Sequence, residues 1–398
     1  MGRRGSPRYG PVPVYVGIVS YTKEEIEQRG HPVWAEVDLG ALRHNVRALR
    51  EITAGAEVMG VVKGYAYGHG NPESARAMVD AGATRLGVAR VAEAIHLREA
   101  GIDAPIHVFT EPPPVAAPVM VSLGLTPAVY TTEFASALSA AAQAAGATVP
   151  VHVKLDTGMH RVGLPADEAV DAATEIARLP GLSVEGAWSH LAVADVPDHP
   201  FTRKQLDLFR EVTERIDRAG VRLHYRHVAN SAAAMSLPES HFDLVRCGVA
   251  CYGLWPGDRF AGTADLRPAL SLKARVNLVK RVPAGDALSY GLRYTVPEEA
   301  SVMTVPAGYA DGYDRRLSGR ASVLVGGRRY LVSGTVCMDQ FMVDAGSDEV
   351  EPGAVATLIG RDGDEAVTAE ELADLIGTIN YEVTTRIPSR VPRVFVDA

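Results

Sequence analysis

The sequence predicts an α/β protein: a (β/α)8 TIM-like barrel followed by a mainly β C-terminal domain. From about residue 56, short β-rich apolar runs alternate with alanine-rich segments of helical spacing. After about residue 264 the helical spacing gives way to short strand candidates broken by Gly, Pro and Asp. A length of 398 residues suits two domains better than one, and an apolar content of 47% permits a large core. The expected division is an extension over 1–31, the barrel over 32–263 and the β domain over 264–398.

The predicted barrel strands are Val58–Val62, Arg85–Ala89, Ile106–Phe109, Thr126–Tyr130, Val149–Leu155, Leu182–His190, Leu223–Ala229 and Leu244–Ala250. Ser74–Ala81, Ala92–Ala100 and Glu133–Ala145 read as helices, with Gly82, Gly101 and Gly146 placed as C-caps. An open doubly wound sheet is the other reading, but no G-x-G-x-x-G follows an early strand. In the second domain, Leu272–Val282, Ser301–Pro306, Ala321–Val325, Tyr330–Val336 and Ala354–Ile359 read as strands. Only Thr368–Ile376 looks helical there, with Thr368 as N-cap and Glu371 completing a capping box.

A net charge of −8 argues against nucleic acid as the main partner. No stretch approaches the roughly 20 apolar residues that span a bilayer. Arg3, Arg4 and Arg8 before Pro11–Tyr21 caricature a secretory signal, but two prolines interrupt it and no A-x-A site follows. Residues 1–31 are therefore expected to be a flexible or loosely packed extension. Cys247, Cys251 and Cys337 form no CxxC pair, so no metal site or disulfide framework is indicated, and a reducing cytoplasm is expected.

Lys63 ends the first barrel strand, before a glycine-broken turn. A lysine there either snorkels outward or holds a carbonyl compound as a Schiff base, partial desolvation freeing its amine. Lys154, Asp156 and Arg161 lie at or after strand 5, His190 ends strand 6, Asn230 and Ser231 follow strand 7, and Arg246, Gly248 and Val249 close strand 8. These are strand C-termini, the face where barrel enzymes place active sites. The loops after strands 7 and 8 suit a phosphate, Ser231 supplying a hydroxyl and Gly248 close backbone approach. A Schiff-base lysine beside a phosphate cradle points to pyridoxal phosphate. Arg246, always cationic, would keep the pyridine nitrogen unprotonated, a weaker electron sink that favours proton removal and return. Taken singly, each residue has an ordinary reading: Arg246 in an ion pair, His190 as a core histidine, Ser231 as a helix cap.

In order along the chain stand AEVDLGALRHN, VVKGYAYGHG, KLDTGMHRVG, WSHLAVAD, HVANSAA, VRCGVACYGL, LSYG, GYADGY, CMDQ, INYEV and RVPRV. This ordered set, from about Trp34 to Phe395, resembles the alanine racemases, pyridoxal-phosphate enzymes with a barrel and a β domain. The resemblance implies a homodimer with shared active sites and a small amino-acid substrate. Lys63 matches the cofactor lysine and one acid/base group; Tyr290, given by the partner subunit, matches the other. Racemisation needs a group on each face of the α-carbon, one taking the proton and one returning it. A tyrosine of pKa about 10 is a poor base at neutral pH; the family tunes it through a line that here would be Tyr290, His190 and Arg246. Arg161 matches the residue holding cofactor and substrate carboxylate. Lys154 matches a lysine carbamylated in many members, which would attract Arg161 where a free ammonium repels it. Tyr67, Ser231, Gly248, Val249 and Tyr381 match phosphate contacts, Met338 and Asp339 partner-donated substrate residues, and Tyr309 and Arg315 the access corridor. Tyr309 and Tyr381 also read as packed aromatics.

Two departures stand out. Gly64-Tyr65 replaces the usual alanine and acidic or amide residue, and Asp314 replaces the proline after GYADGY. The expected function is two-base alanine racemisation supplying D-alanine for peptidoglycan. A serine or broad-specificity racemase, a barrel amino-acid decarboxylase and a cofactor-binding regulatory protein are the alternatives. Arg246 disfavours the decarboxylase, and the second domain disfavours the regulator.

Overall fold

The computed structural model describes residues 20–53, 55–196 and 198–397. Eight parallel strands run in the order Leu244–Cys247, Glu57–Val61, Arg85–Val88, Ile106–Val108, Thr126–Val129, Val149–Asp156, Leu182–Trp188 and Tyr225–His227. The last and first are joined by Asp243 N–H to the Arg226 carbonyl (3.2 Å) and Arg246 N–H to the Ala229 carbonyl (3.0 Å), nearly closing the barrel. Its strands are buried almost throughout, as expected of parallel strands covered on both faces. Every predicted barrel strand is present: six are shorter than expected, while Glu57–Val61 is shifted by one residue and Val149–Asp156 runs one residue longer.

Helices follow the strands, including Glu73–Asp80, Val91–Glu99 and Thr132–Ala145. Gly82, Gly101 and Gly146 all take positive φ, ending these helices as predicted. The β domain contains a seven-stranded sheet and a three-stranded sheet, the latter of Leu278–Val282, Ala300–Val305 and Phe341–Asp344.

Three features differ from the expectation. Val33–Asp38 pairs antiparallel with Leu270–Arg275 and parallel with Arg393–Val396, in the C-terminal sheet rather than the barrel. One face of this strand is polar: Glu36 accepts from Lys273 (2.7 Å) and Trp34 (3.1 Å), which suits a half-exposed sheet. Residues 20–31 are not loose. Lys23–Gln28 is a helix with a complete Thr22/Glu25 capping box, and Ile26 packs with Trp34 and Val394. The remainder of the expected extension, 1–19, lies outside the described residues. Finally, Thr368 does cap Ala369–Ile376, but the Glu371 carboxylate bonds Arg329 (2.6 Å), and a second helix, Asn380–Thr385, follows.

That second helix packs on the turn after Lys63. A Cβ on Gly68 would lie 2.7 Å from the Thr384 carbonyl carbon and closer still to its oxygen, so only glycine admits this contact. The fully buried Arg393 clamps the same point, donating to the Gly68 carbonyl (3.0 and 2.6 Å) and to those of Ile387 and Pro388 (2.8 Å each).

Candidate active site

Lys63 opens a left-handed turn at the barrel mouth: Gly64, Tyr65, Ala66 and Tyr67 all have φ between 52° and 61°. Left-handed backbone costs an L-residue roughly 1–2 kcal/mol, so this turn persists only because its surroundings hold it. Glu93 pins the start, accepting from Gly64 N–H (2.7 Å) while also binding the N–H groups of Ala89 (2.8 Å) and Arg90 (3.0 Å). The turn faces Tyr67 toward the last barrel strand.

Around Lys63 the charges are mainly positive. Burial, then Arg161 and Arg246, depress its amine against the opposing pull of Glu93. Lys154 lies within its strand, 3% exposed, its ammonium against the Leu155 carbonyl (2.5 Å) and 5.1 Å from the Trp188 ring centre. Burial first, then Arg246 and Arg161 against Asp156, bring its pKa down to about 7. His190 is held neutral by burial and by Arg246, Arg161, Lys63 and Lys154. Such a field favours an anion.

Arg246 is buried, without a carboxylate partner among the described residues. It donates to the carbonyls of Ser189 (2.8 Å), His227 (2.9 Å) and Val228 (3.0 Å), and to Nδ1 of His227 and of His190 (3.1 Å each). Its pKa falls to about 9 through burial, which leaves it cationic at neutral pH. Its Nε donates to no protein atom among the described residues.

Ser231 Oγ accepts from Gly248 N–H (3.0 Å) and Ala250 N–H (3.4 Å), while Asn230, not Ser231, caps helix Ser231–Ser236. Val249 is buried beside them. A Cβ on Gly248 would stand 2.9 Å from Tyr67 Cζ and closer to its hydroxyl. Tyr67 lies between Tyr252 (5.1 Å between ring centres) and Tyr381 (6.1 Å), the latter brought in by helix Asn380–Thr385.

The structure thus gathers Lys63, Tyr67, Lys154, Arg161, His190, Asn230, Ser231, Arg246, Gly248, Val249 and Tyr381 at one mouth. It does not bring Tyr290, Tyr309, Arg315, Met338 or Asp339 into hydrogen bonds with that mouth. Tyr290 is 76% exposed, and its hydroxyl bonds nothing among the described residues; of the expected tyrosine–histidine–arginine line, one chain supplies the His190–Arg246 half. These residues sit on interlocked loops of the β domain. Tyr309 and Ala310 N–H bond the Cys337 (3.1 Å) and Met338 (3.0 Å) carbonyls, and Arg390 ties Asp311 (2.7 Å) to Asp339 (2.8 Å).

The sequence reading missed Glu93, His152, Glu185, His227 and Arg393. For His152, Glu185 and His227 the available signal is a polar residue on a barrel strand, as in Val151-His152-Val153; Glu93, on helix Val91–Glu99, and Arg393, in the C-terminal sheet, carry no such signal.

Comparison with known proteins decides the family. The N-terminal domain model of alanine racemase matches residues 37–256, and the C-terminal domain model matches 269–395. The chain belongs to the alanine racemase family. It is 46% identical to an alanine racemase of Carboxydothermus hydrogenoformans over 92% of this chain and 100% of the relative. It is 47% identical to one of Symbiobacterium thermophilum over 92% and 97%. The crystal structure of alanine racemase from Streptomyces lavendulae superimposes with a TM-score of 0.88 at 43% identity, covering 92% and 97% of the two chains.

Proposed function

We propose that this family member interconverts L- and D-alanine with pyridoxal 5'-phosphate in the barrel mouth, supplying D-alanine for peptidoglycan. The reading rests above all on the placement of Lys63, its amine depressed, beside Arg246, whose Nε is left free to face a ring nitrogen. The mouth fits this cofactor: the cationic field suits its phosphate, and the close approach of Gly248 to Tyr67 shapes a cradle completed by Ser231, Val249 and Tyr381. When bound, the cofactor draws electrons from the substrate α-carbon. Lys63 exchanges the α-proton on one face and Arg161 receives the carboxylate, aided by Lys154 as its carbamate. Since Nδ1 of His190 accepts from Arg246, Nε2 carries the proton and is free to donate to a tyrosine oxygen.

Tyr290 completes the other face from the partner of a homodimer, with Met338, Asp339, Tyr309 and Arg315. Support comes from the exposed Tyr290, Leu292, Met338 and Tyr309, large apolar side chains on a domain with a substantial core. Among the described residues no helix is long and apolar enough to cross a membrane. The cysteines are unpaired, which suits a reducing cytoplasm.

The test is L-alanine incubated with enzyme and cofactor in D2O, followed by chiral analysis and by the α-proton signal. Deuterated L- and D-alanine approaching equal amounts is the expected result. Exchange without inversion would remove Tyr290 from its role, and no exchange would reject the reading.

A further inference from the structure

A hydrogen-bonded chain runs from Arg246 at the mouth toward the N-terminal end of the barrel. Arg246 Nη1 meets His227 Nδ1 (3.1 Å), His227 Nε2 meets His152 Nδ1 (2.7 Å), and His152 Nε2 meets Glu185 Oε2 (2.9 Å). Glu185 is also held by Arg85 through two bonds of 3.0 and 3.2 Å, and Arg85 lies 4.1 Å from the Tyr225 ring centre. Both histidines are fully buried. Burial holds each neutral, so the His152–Glu185 contact is an imidazole N–H donated to a carboxylate.

The two ends set the direction of the chain. A guanidinium only donates, a carboxylate only accepts, and a neutral imidazole does one of each. We infer that Glu185 is a positioning residue for Arg246: by accepting from His152 it holds both imidazoles as Nε2–H tautomers, so that His227 offers Arg246 a lone pair. The claim that Arg246 serves the reaction rests on the proposed function; the tautomers do not.

Glu185→Gln should reverse the chain. Arg85, a pure donor, claims the amide oxygen and leaves the amide NH2 facing His152 Nε2. That nitrogen must then accept, the His152 proton moves to Nδ1, and His227 turns an Nδ1–H against the Arg246 N–H. Removing the competing donor as well, in Arg85→Met/Glu185→Gln, frees the amide oxygen for His152 and restores the original direction.

The experiment records 15N-histidine spectra of the apo and cofactor-loaded enzyme, with kcat and KM for alanine. In the wild type, His152 and His227 are both expected as Nε2–H tautomers, with or without cofactor. Glu185→Gln should shift both resonances and lower kcat about fivefold, the worth of one net hydrogen bond, at nearly unchanged KM. The double variant should recover both, which a merely structural salt bridge would not do. An Nδ1–H tautomer in the wild type would overturn the inference even if no variant folds. So would a Glu185→Gln enzyme with wild-type spectra and kcat, or a double variant no better than the single one. The apo spectra do not depend on what the mouth binds, so failure of the inference is distinguishable from failure of the cofactor reading.

Discussion

Gly248→Ala isolates the cradle from the chemistry. Gly248 has φ of −106°, so alanine meets no left-handed strain there. The added methyl would stand 2.9 Å from Tyr67 Cζ and nearer its hydroxyl, well inside van der Waals contact. Tyr67 cannot simply swing away, because Tyr252 and Tyr381 flank its ring and its backbone belongs to the left-handed turn. Overpacking of this kind costs about 1–3 kcal/mol. If that strain opposes ligand seating, pyridoxal phosphate should bind roughly five- to 150-fold more weakly. Titrating apoenzyme with the cofactor and following protein fluorescence reads the change directly. A dissociation constant within twofold of wild type would refute the reasoning, since it would mean that the Gly248–Tyr67 approach does not shape the phosphate site.

Tyr290→Ala should slow α-proton exchange starting from one alanine enantiomer far more than from the other. A general acid/base group contributes roughly 10²–10⁴-fold; equal, wild-type-like exchange from both enantiomers would exclude the role. Lys154 should make stability depend on pH. Its folded pKa of about 7 lies below the unfolded value of about 10.4, so between these the unfolded chain holds a proton the folded one lacks, and stability rises with pH. Denaturation in CO2-free buffer should show this rise in the wild type and a flatter curve in Lys154→Met; matching slopes would count against it. Arg393→Met should cost about 3 kcal/mol or more, because buried carbonyls of Gly68, Ile387 and Pro388 lose their donor. A loss below about 1 kcal/mol in urea unfolding would show that water or backbone adjustment replaces the guanidinium.

The barrel was legible because strands buried on both faces read as short apolar runs and the helices between them as periodic segments, and the strand ends named the mouth. Lys63, His190, Ser231 and Arg246 each follow or finish a strand, so chain order alone placed them on one face. The phosphate-side contact Tyr381 was reachable only through motif resemblance, since helix Asn380–Thr385 is too short to display a periodic pattern. Likewise, nothing local in Val33–Asp38 says that its partners lie more than 200 residues away at Leu270–Arg275.

The sequence by itself determined the alternation of strands and helices, the β-rich second half and the residues at the strand ends, because these depend on local propensity and burial period. Tertiary structure alone decided the rest. The left-handed turn after Lys63 is held by Glu93, Thr384 and Arg393, which are remote in sequence. The line from Arg246 to Glu185 exists only because barrel closure brings interior side chains of four strands within hydrogen-bonding distance. Such contacts carry no local signature: a buried histidine on a strand shows in the sequence that it needs a partner, but not where that partner lies.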